Sequence, residues 1–269
     1  MPERTRGETA TVDRQAKLAA MLHGLKLPAI ADTFGDMALK AAKANMTHEA
    51  FLYELVQAEC NQRDGNRIAR LRRQSGLPLE KTFDQLELGR FPAPIQLQVE
   101  RLRSGAFLAQ AVNIVAAGKP GVGKSHLIAA IGHELIQRGY PVLWTSTASL
   151  VQRLLVAKRE LRLPQMLAQL DRFALLVLDD IGYVQHDRDE MEVLFTLLAE
   201  RYERRSVAIT TNLLFSEWDR IFKDPMTTMA AIDRVVHHSV ILDLMGDMES
   251  YRAREAIEQQ LTAATPTEP

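Results

Sequence analysis

The stretch Gly118-Lys119-Pro120-Gly121-Val122-Gly123-Lys124-Ser125 constrains the fold of this chain more than any other. Its glycines favour a loop over a helix or strand, because glycine reaches backbone angles that other residues avoid. Such a loop turns successive N–H groups inward. The helix that follows, opening at Lys124, Ser125 and His126, adds its unpaired amides and the positive end of its dipole. Phosphate groups fit that ring of donors, with the Lys124 ammonium reaching the β- and γ-phosphates and the Ser125 hydroxyl serving as a ligand for Mg²⁺. The flanks suit this use: VNIVAA at 112–117 is an apolar strand, and residues from Lys124 to about Arg138 read as a helix. A glycine-rich turn without a ligand is the alternative, and both flanks weigh against it.

The same alternation continues downstream. Pro141–Thr145 reads as a second strand, Ser149 to about Glu160 as a helix, and Pro164 interrupts the pattern. Leu175–Leu178 is a third strand, Met191–Glu200 a helix, Ser206–Thr210 a fourth strand and Val240–Leu242 a fifth. Strands alternating with helices of this length indicate an α/β fold with a parallel sheet. The third strand ends in Asp179 and Asp180, which places two carboxylates at the carboxyl edge of the sheet, where ligands bind in such folds. Asp179 is read as the Mg²⁺ ligand and Asp180 as the group that polarises the attacking water; solvated strand-end acids are the alternative. Asn212, just past the fourth strand, is read as positioning that water, against an ordinary turn asparagine.

Ahead of the sheet the texture is helical. Residues 1–14 read as a loose leader, and the helical pattern runs from Gln15 to about Arg73. Leu18, Met21, Leu22 and Leu25 share one face; Pro28 starts a second helix with Ile30, Phe34 and Met37 as its stripe; and Thr47 caps a third that buries Phe51, Leu52, Leu55 and Val56. Whether the basic run Arg63, Arg67, Arg70, Arg72, Arg73 belongs to this third helix or to a fourth after Gly65 stays open. We therefore expect a small all-helical domain over 1–75, a linker over 76–106 with one short helix near Ile95–Arg103, an α/β domain over 107–259 and a frayed tail over 260–269.

With 33 Lys+Arg against 34 Asp+Glu, any contact with nucleic acid must come from local patches. A single cysteine, Cys60, excludes an internal disulfide and a cysteine-rich zinc site. No apolar run is long enough to span a membrane, and the polar start lacks a signal-peptide core, so the expectation is a cytoplasmic protein.

The segments GKPGVGKSHLIAAIG, LLVLDDIGY, ITTNLLFSEWDRIF and AIDRVVHHSVIL, with LHGLKLPAIADTF near the start and MGDMESYRAR near the end, resemble the IstB/DnaC-type AAA+ ATPases, and IstB-like transposition helpers in particular. The resemblance covers about Lys17 to Glu255. It implies a P-loop AAA+ αβα sandwich preceded by a small helical domain, ATP with Mg²⁺ at the junctions of a homo-oligomer, and double-stranded DNA and a cognate transposase as partners. It also implies that Asp179 and Asp180 are the metal and water-activating acids, that Asn212 is the first sensor, and that Arg234 reaches a neighbour's γ-phosphate. Arg234 has a plainer alternative, an ion pair with Asp233 or Asp243. Arg252 resembles a second sensor, and Phe83 an adenine contact, with a core aromatic as its equal alternative. Many AAA+ proteins have Glu where this chain has Asp180; the shorter side chain implies slow turnover, and we expect that turnover to be stimulated by oligomerisation or DNA.

Arg153, Lys158, Arg159 and Arg162 lie in the region that lines the DNA channel in initiator-type relatives; a solvated helix face explains them as well. The adjacent His237 and His238 read as structural. A DnaC/DnaI-type helicase loader is the alternative function, although Cys60 alone cannot supply the cysteine set of the DnaI version's zinc-bearing domain. A small-molecule P-loop kinase is a third reading and predicts a monomer active without DNA.

Overall fold

The computed structural model describes residues 4–183, 188–213, 217–218 and 225–246, which divide into two compact units, 1–69 and 70–269. The first unit is built on three helices, α1 (Arg4–Gly24), α2 (Pro28–Lys43) and α3 (His48–Ser75). Both turns have local causes. After α1, Lys26 takes a left-handed conformation (φ 59°), with Lys26 N–H donating to the His23 carbonyl and Leu27 N–H to the Leu22 carbonyl. Asn45 ends α2 in the same way at φ 48°. Pro28 opens α2, and the Thr47 hydroxyl accepts the Ala50 N–H at 3.2 Å to cap α3.

Two expectations change here, and one open question closes. Helix α1 begins at Arg4, inside the expected leader, because no proline interrupts residues 4–24. Helix α3 runs unbroken through Gly65, so no fourth helix forms. Leu52 and Val56, expected to be buried on α3, are 60% and 46% exposed, and the α1 stripe is largely open too, with Leu18, Met21 and Leu25 at 41%, 66% and 69%. Periodicity marks one face of a helix without saying that another element covers it. What is buried is Ala29, Ile30, Ala31 and Leu55, beside the carboxylate of Glu59. Glu59 Oε2 accepts the Ala29 N–H (2.9 Å) and the Ile30 N–H (3.2 Å), capping α2 from another helix, while Arg63 holds Oε1 at 2.9 Å. Burial pushes this carboxyl up, but Arg63 and the two amides outweigh it and hold it below the ordinary glutamate value.

The second unit is a five-stranded sheet in the order β2-β3-β4-β1-β5, with every pairing parallel. The strands are β1 (Asn113–Gly118), β2 (Val142–Ser146), β3 (Leu175–Asp179), β4 (Ser206–Thr211) and β5 (Ser239–Leu244). All six residues of β1 and of β4 are buried, as continuous apolar strands between two helical layers should be. On one face α6 (Thr147–Arg159), α7 (Leu163–Leu170), α8 (Arg188–Arg201) and α9 (Pro225–Val236) contribute Leu150, Leu154, Leu170, Leu194, Leu197 and Val235 to a core with Val115, Leu176, Leu178, Val207, Ile209 and Trp218. Helix α5 (Lys124–Gln137) packs on the sheet with Leu127, Ile128, Ile131 and Leu135 fully buried. The architecture is the expected αβα sandwich.

Residues 76–106 are packed into this unit rather than strung between two bodies. They include α4 (Ala93–Arg103) and bury Leu77, Phe91, Ile95, Val99 and Leu102. Pro164 also acts differently from the expectation: it sits in the first turn of α7, where its missing N–H costs nothing, and so starts a helix instead of breaking one.

Candidate nucleotide site

The parallel sheet brings the carboxyl ends of β1, β3 and β4 together beside the first turn of α5. In the connecting loop Gly121 and Gly123 hold φ of 85° and 100°, angles that a side chain rarely tolerates. A Cβ on Gly123 would also come within 3.3 Å of the Phe91 ring. Lys124 Nζ donates to the carbonyls of Gly118 (2.6 Å) and Lys119 (2.9 Å), so the ammonium lies across the mouth of the loop that bears it. His126 Nε2 donates to the Thr82 carbonyl at 3.0 Å and ties the segment before α4 to α5.

A hub of hydroxyls and carboxylate faces this loop. Asp179 Oδ1 accepts from Ser125 Oγ at 2.8 Å and from Thr210 Oγ1 at 2.6 Å. The Thr210 hydroxyl in turn accepts the Asp180 N–H at 2.8 Å, and the buried Thr147 hydroxyl donates to the Asp179 carbonyl at 3.1 Å. Asp180 itself is left-handed, at φ 64°. Asn212 Oδ1 is buried with no hydrogen-bond donor among the described residues, and a Cβ on Gly182 would sit 2.4 Å from it. These features fit a triphosphate and a divalent cation: a glycine-rich loop at a helix start, a lysine ammonium at its mouth, a hydroxyl–carboxylate pair of hard oxygens and an unsatisfied polar atom.

A cleft of about 600 Å³ joins these parts. Pro120 to His126, Asp180, Thr210 and Asn212 line one side, and Glu80, Lys81, Gln85, Leu86, Glu87, Arg90 and Phe91 the other. Phe83 does not line it. Residues 83–85 form a tight 3₁₀ turn, and the Phe83 ring lies under the Arg103 guanidinium at 4.6 Å. Leu86 and Phe91 are the apolar groups on that wall. Sequence reading missed them, along with Thr147, Thr210 and Gly182. Thr210 left one signal: in a strand it shares a face with Asn212, two residues on.

Arg234 does not line the cleft either. It sits on α9, half-buried, with its guanidinium 4.4 Å above the Phe195 ring and one Nη buried without a partner. No ion pair joins it to Asp233 or Asp243. Asn113 holds the end of this helix in place: its amide donates to the Val235 carbonyl at 3.2 Å and accepts the Val207 N–H at 2.9 Å. Arg252 lies outside the described residues.

On α6 and the turn after it, Arg153, Arg159 and Arg162 are exposed, but Arg162 pairs with Glu160. Lys158 is held by Glu192 at 2.9 Å and Asp189 at 3.5 Å; the Glu192 hydrogen bond raises its affinity for its proton above the ordinary lysine value. Its charge is therefore spent locally. His237 and His238 meet edge to face, with ring centroids 4.5 Å apart, and His238 faces Glu203 at 3.5 Å. The described residues contain no cluster of three or more His, Cys, Asp or Glu placed to hold a metal, and no helix long and apolar enough to cross a membrane.

Known proteins resemble this chain. The chain is 44% identical over 249 residues, 92% of its length and 83% of the relative's, to a Sinorhizobium fredii protein named as an insertion sequence ATP-binding protein. A Geobacillus stearothermophilus protein of similar name is 35% identical over 233 residues, 87% of this chain and 92% of the relative. Among solved structures, AMPPCP-bound DnaA from Aquifex aeolicus superposes with a TM-score of 0.55 at 16% identity, over 72% of this chain and 58% of that one, and the likeness is to its P-loop AAA+ fold. The family model described as IstB-like ATP binding protein matches residues 20–259, and the chain belongs to that family.

Proposed function

We propose that the chain is a slow, oligomerising ATPase that grips double-stranded DNA in its ATP state and assists the transposase of an insertion sequence. The observation that carries the reading is the Ser125–Asp179–Thr210 hub set against the phosphate loop. In this reading Lys124 leaves its loop carbonyls for the β- and γ-phosphates, and Ser125 and Asp179 hold Mg²⁺. That ion, when bound, neutralises phosphate charge as the γ-phosphoryl departs. Asp180 polarises the attacking water and Asn212 orients it. Leu86 and Phe91 take the role of adenine wall that sequence reading gave to Phe83. Arg234 leaves Phe195 to reach the γ-phosphate of a neighbouring copy, where a guanidinium spreads positive charge over the transition state.

The insertion-sequence setting rests on the names of the relatives, and the DNA contact on the exposed Arg153 and Arg159 of α6 and Arg162 just after it. Salt-dependent binding without base preference is the signature of such contacts. The test is duplex binding measured with ATP, with ADP and without nucleotide, for the parent and Lys124→Ala. We expect tight, salt-sensitive binding by the parent with ATP alone. Lys124→Ala should lose ATP affinity by on the order of a hundredfold, as a charged hydrogen-bond donor to phosphate is removed. Equal DNA binding in all three states, or unchanged ATP uptake by Lys124→Ala, would overturn the reading.

A further inference from the structure

We propose that Thr210 is a positioning residue that sets the facing of the two strand-end acids, and with it the metal affinity and turnover of the site. The inference rests on the ATPase reading above and deepens it. One hydroxyl performs two tasks. Its proton goes to Asp179 Oδ1 at 2.6 Å, and its lone pair receives the Asp180 N–H at 2.8 Å. Thr210 is almost wholly buried, so water competes little for either bond.

The need for this hydroxyl follows from the ladder. The β3–β4 pairing runs to Leu178 opposite Ile209, and Asp179 and Thr210 are the next residues on each strand. The chain then turns away at Asp180, which adopts φ 64°, and the Asp180 N–H goes to the Thr210 hydroxyl. Thr210 accepts that N–H where the β3–β4 pairing ends, and so fixes the conformation from which the Asp180 side chain enters the cleft. On the other acid, Ser125 and Thr210 donate to the same oxygen, Oδ1. Two donors on one oxygen hold the carboxylate plane, whereas one leaves it free to rotate. Outer residues that orient a metal ligand in this way typically change metal affinity or activity by about 10–100-fold when removed.

The experiment compares full-length parent, Thr210→Val, which keeps the shape without the hydroxyl, and Thr210→Ser, which keeps the hydroxyl. Three quantities are read: binding of a fluorescent ATP analogue in EDTA, Mn²⁺ affinity with ATPγS present by electron paramagnetic resonance, and kcat for ATP with Mg²⁺. We expect Thr210→Val to bind nucleotide in EDTA like the parent, to lose at least about tenfold in Mn²⁺ affinity, and to fall in kcat by a similar factor, with Thr210→Ser restoring both to within about threefold. A merely structural role would lower the melting temperature and leave the Mn²⁺ affinity of the folded fraction alone. Should Thr210→Val not fold, Thr210→Cys, close in volume and weak in hydrogen bonding, takes its place. Parent-like Mn²⁺ affinity and kcat in the folded variant overturn the proposal. A parent that binds Mn²⁺ with nucleotide yet never hydrolyses ATP overturns the ATPase reading instead, and the Mn²⁺ affinities still decide the role of Thr210.

Discussion

The two units of this chain solve the same problem by different means. The sheet unit buries whole strands: every residue of β1 and β4 is covered, and helices on both faces add fully buried leucines and isoleucines. The helical unit buries little more than Ala29, Ile30, Ala31 and Leu55, and relies on Glu59 to cap α2 from α3. The contrast teaches that an amphipathic pattern carries different information in each. In β1, β3 and β4 an apolar residue is a core residue. In the helical unit it is a residue on one face, and the face stays open where no fourth element arrives.

The largest expected effect separates the units by their cores. Leu194 is fully buried among Leu154, Leu178 and Val207, so Leu194→Ala should destabilise the sheet unit by about 2–5 kcal/mol. The chain has two tryptophans, Trp144 and Trp218, and both lie in the sheet unit, so urea unfolding followed by tryptophan fluorescence reads that unit alone. A shift below 1 kcal/mol would break the comparison, since it would mean that the sheet unit tolerates a void as readily as an open helix face does.

A smaller effect sharpens the other side. Glu59 carries a carboxyl held below its ordinary value by Arg63 and two amides despite its burial. A carboxylate whose folded pKa is lowered stabilises the fold above the unfolded value, and that contribution disappears as pH falls through the folded value. Glu59→Gln should therefore reduce helical stability at neutral pH, and the difference from the parent should close in acid. Far-UV circular dichroism during thermal melts from pH 7 to pH 3 would check this. A gap that stays constant with pH would show that the cap works by shape rather than by charge.

How much could be read beforehand differs between the units for the same reason. Strand limits in the sheet unit were legible to within a residue or two, because parallel strands are apolar runs closed by glycines and acids, as at Gly118 and Asp179–Asp180. The phosphate loop was legible because its glycines answer a backbone demand, met here at φ 85° and 100°. Thr210 and Thr147 were not legible. Both meet Asp179 of β3, Thr210 from β4 through a strand register set by packing across the whole sheet and Thr147 from the first turn of α6, and neither contact leaves a local mark. The aromatic contact was misplaced for a similar reason. The turn at 83–85 sends Phe83 toward Arg103, and Phe91, buried beside Gly123, reaches the cleft instead. In the helical unit Pro28 and Thr47 marked helix starts through local chemistry, while Glu59 acts across 29 and 30 residues and left no local mark.

The smallest expected effect is the sharpest probe of the open face. Met21 lies on the stripe of α1 with Leu18 and Leu25, and all three are exposed. A side chain already in water gives up little transfer energy, so Met21→Ser should change stability by no more than about 0.5 kcal/mol, much of it from the weaker helix propensity of serine. The measurement is the far-UV circular dichroism melt of the full chain, taken at several protein concentrations. A loss of 2 kcal/mol that grows with protein concentration would mean that a second copy covers this face in solution. The thin core of the helical unit would then be half of a larger one, and the contrast with the sheet unit would be one of assembly rather than of packing within a single chain.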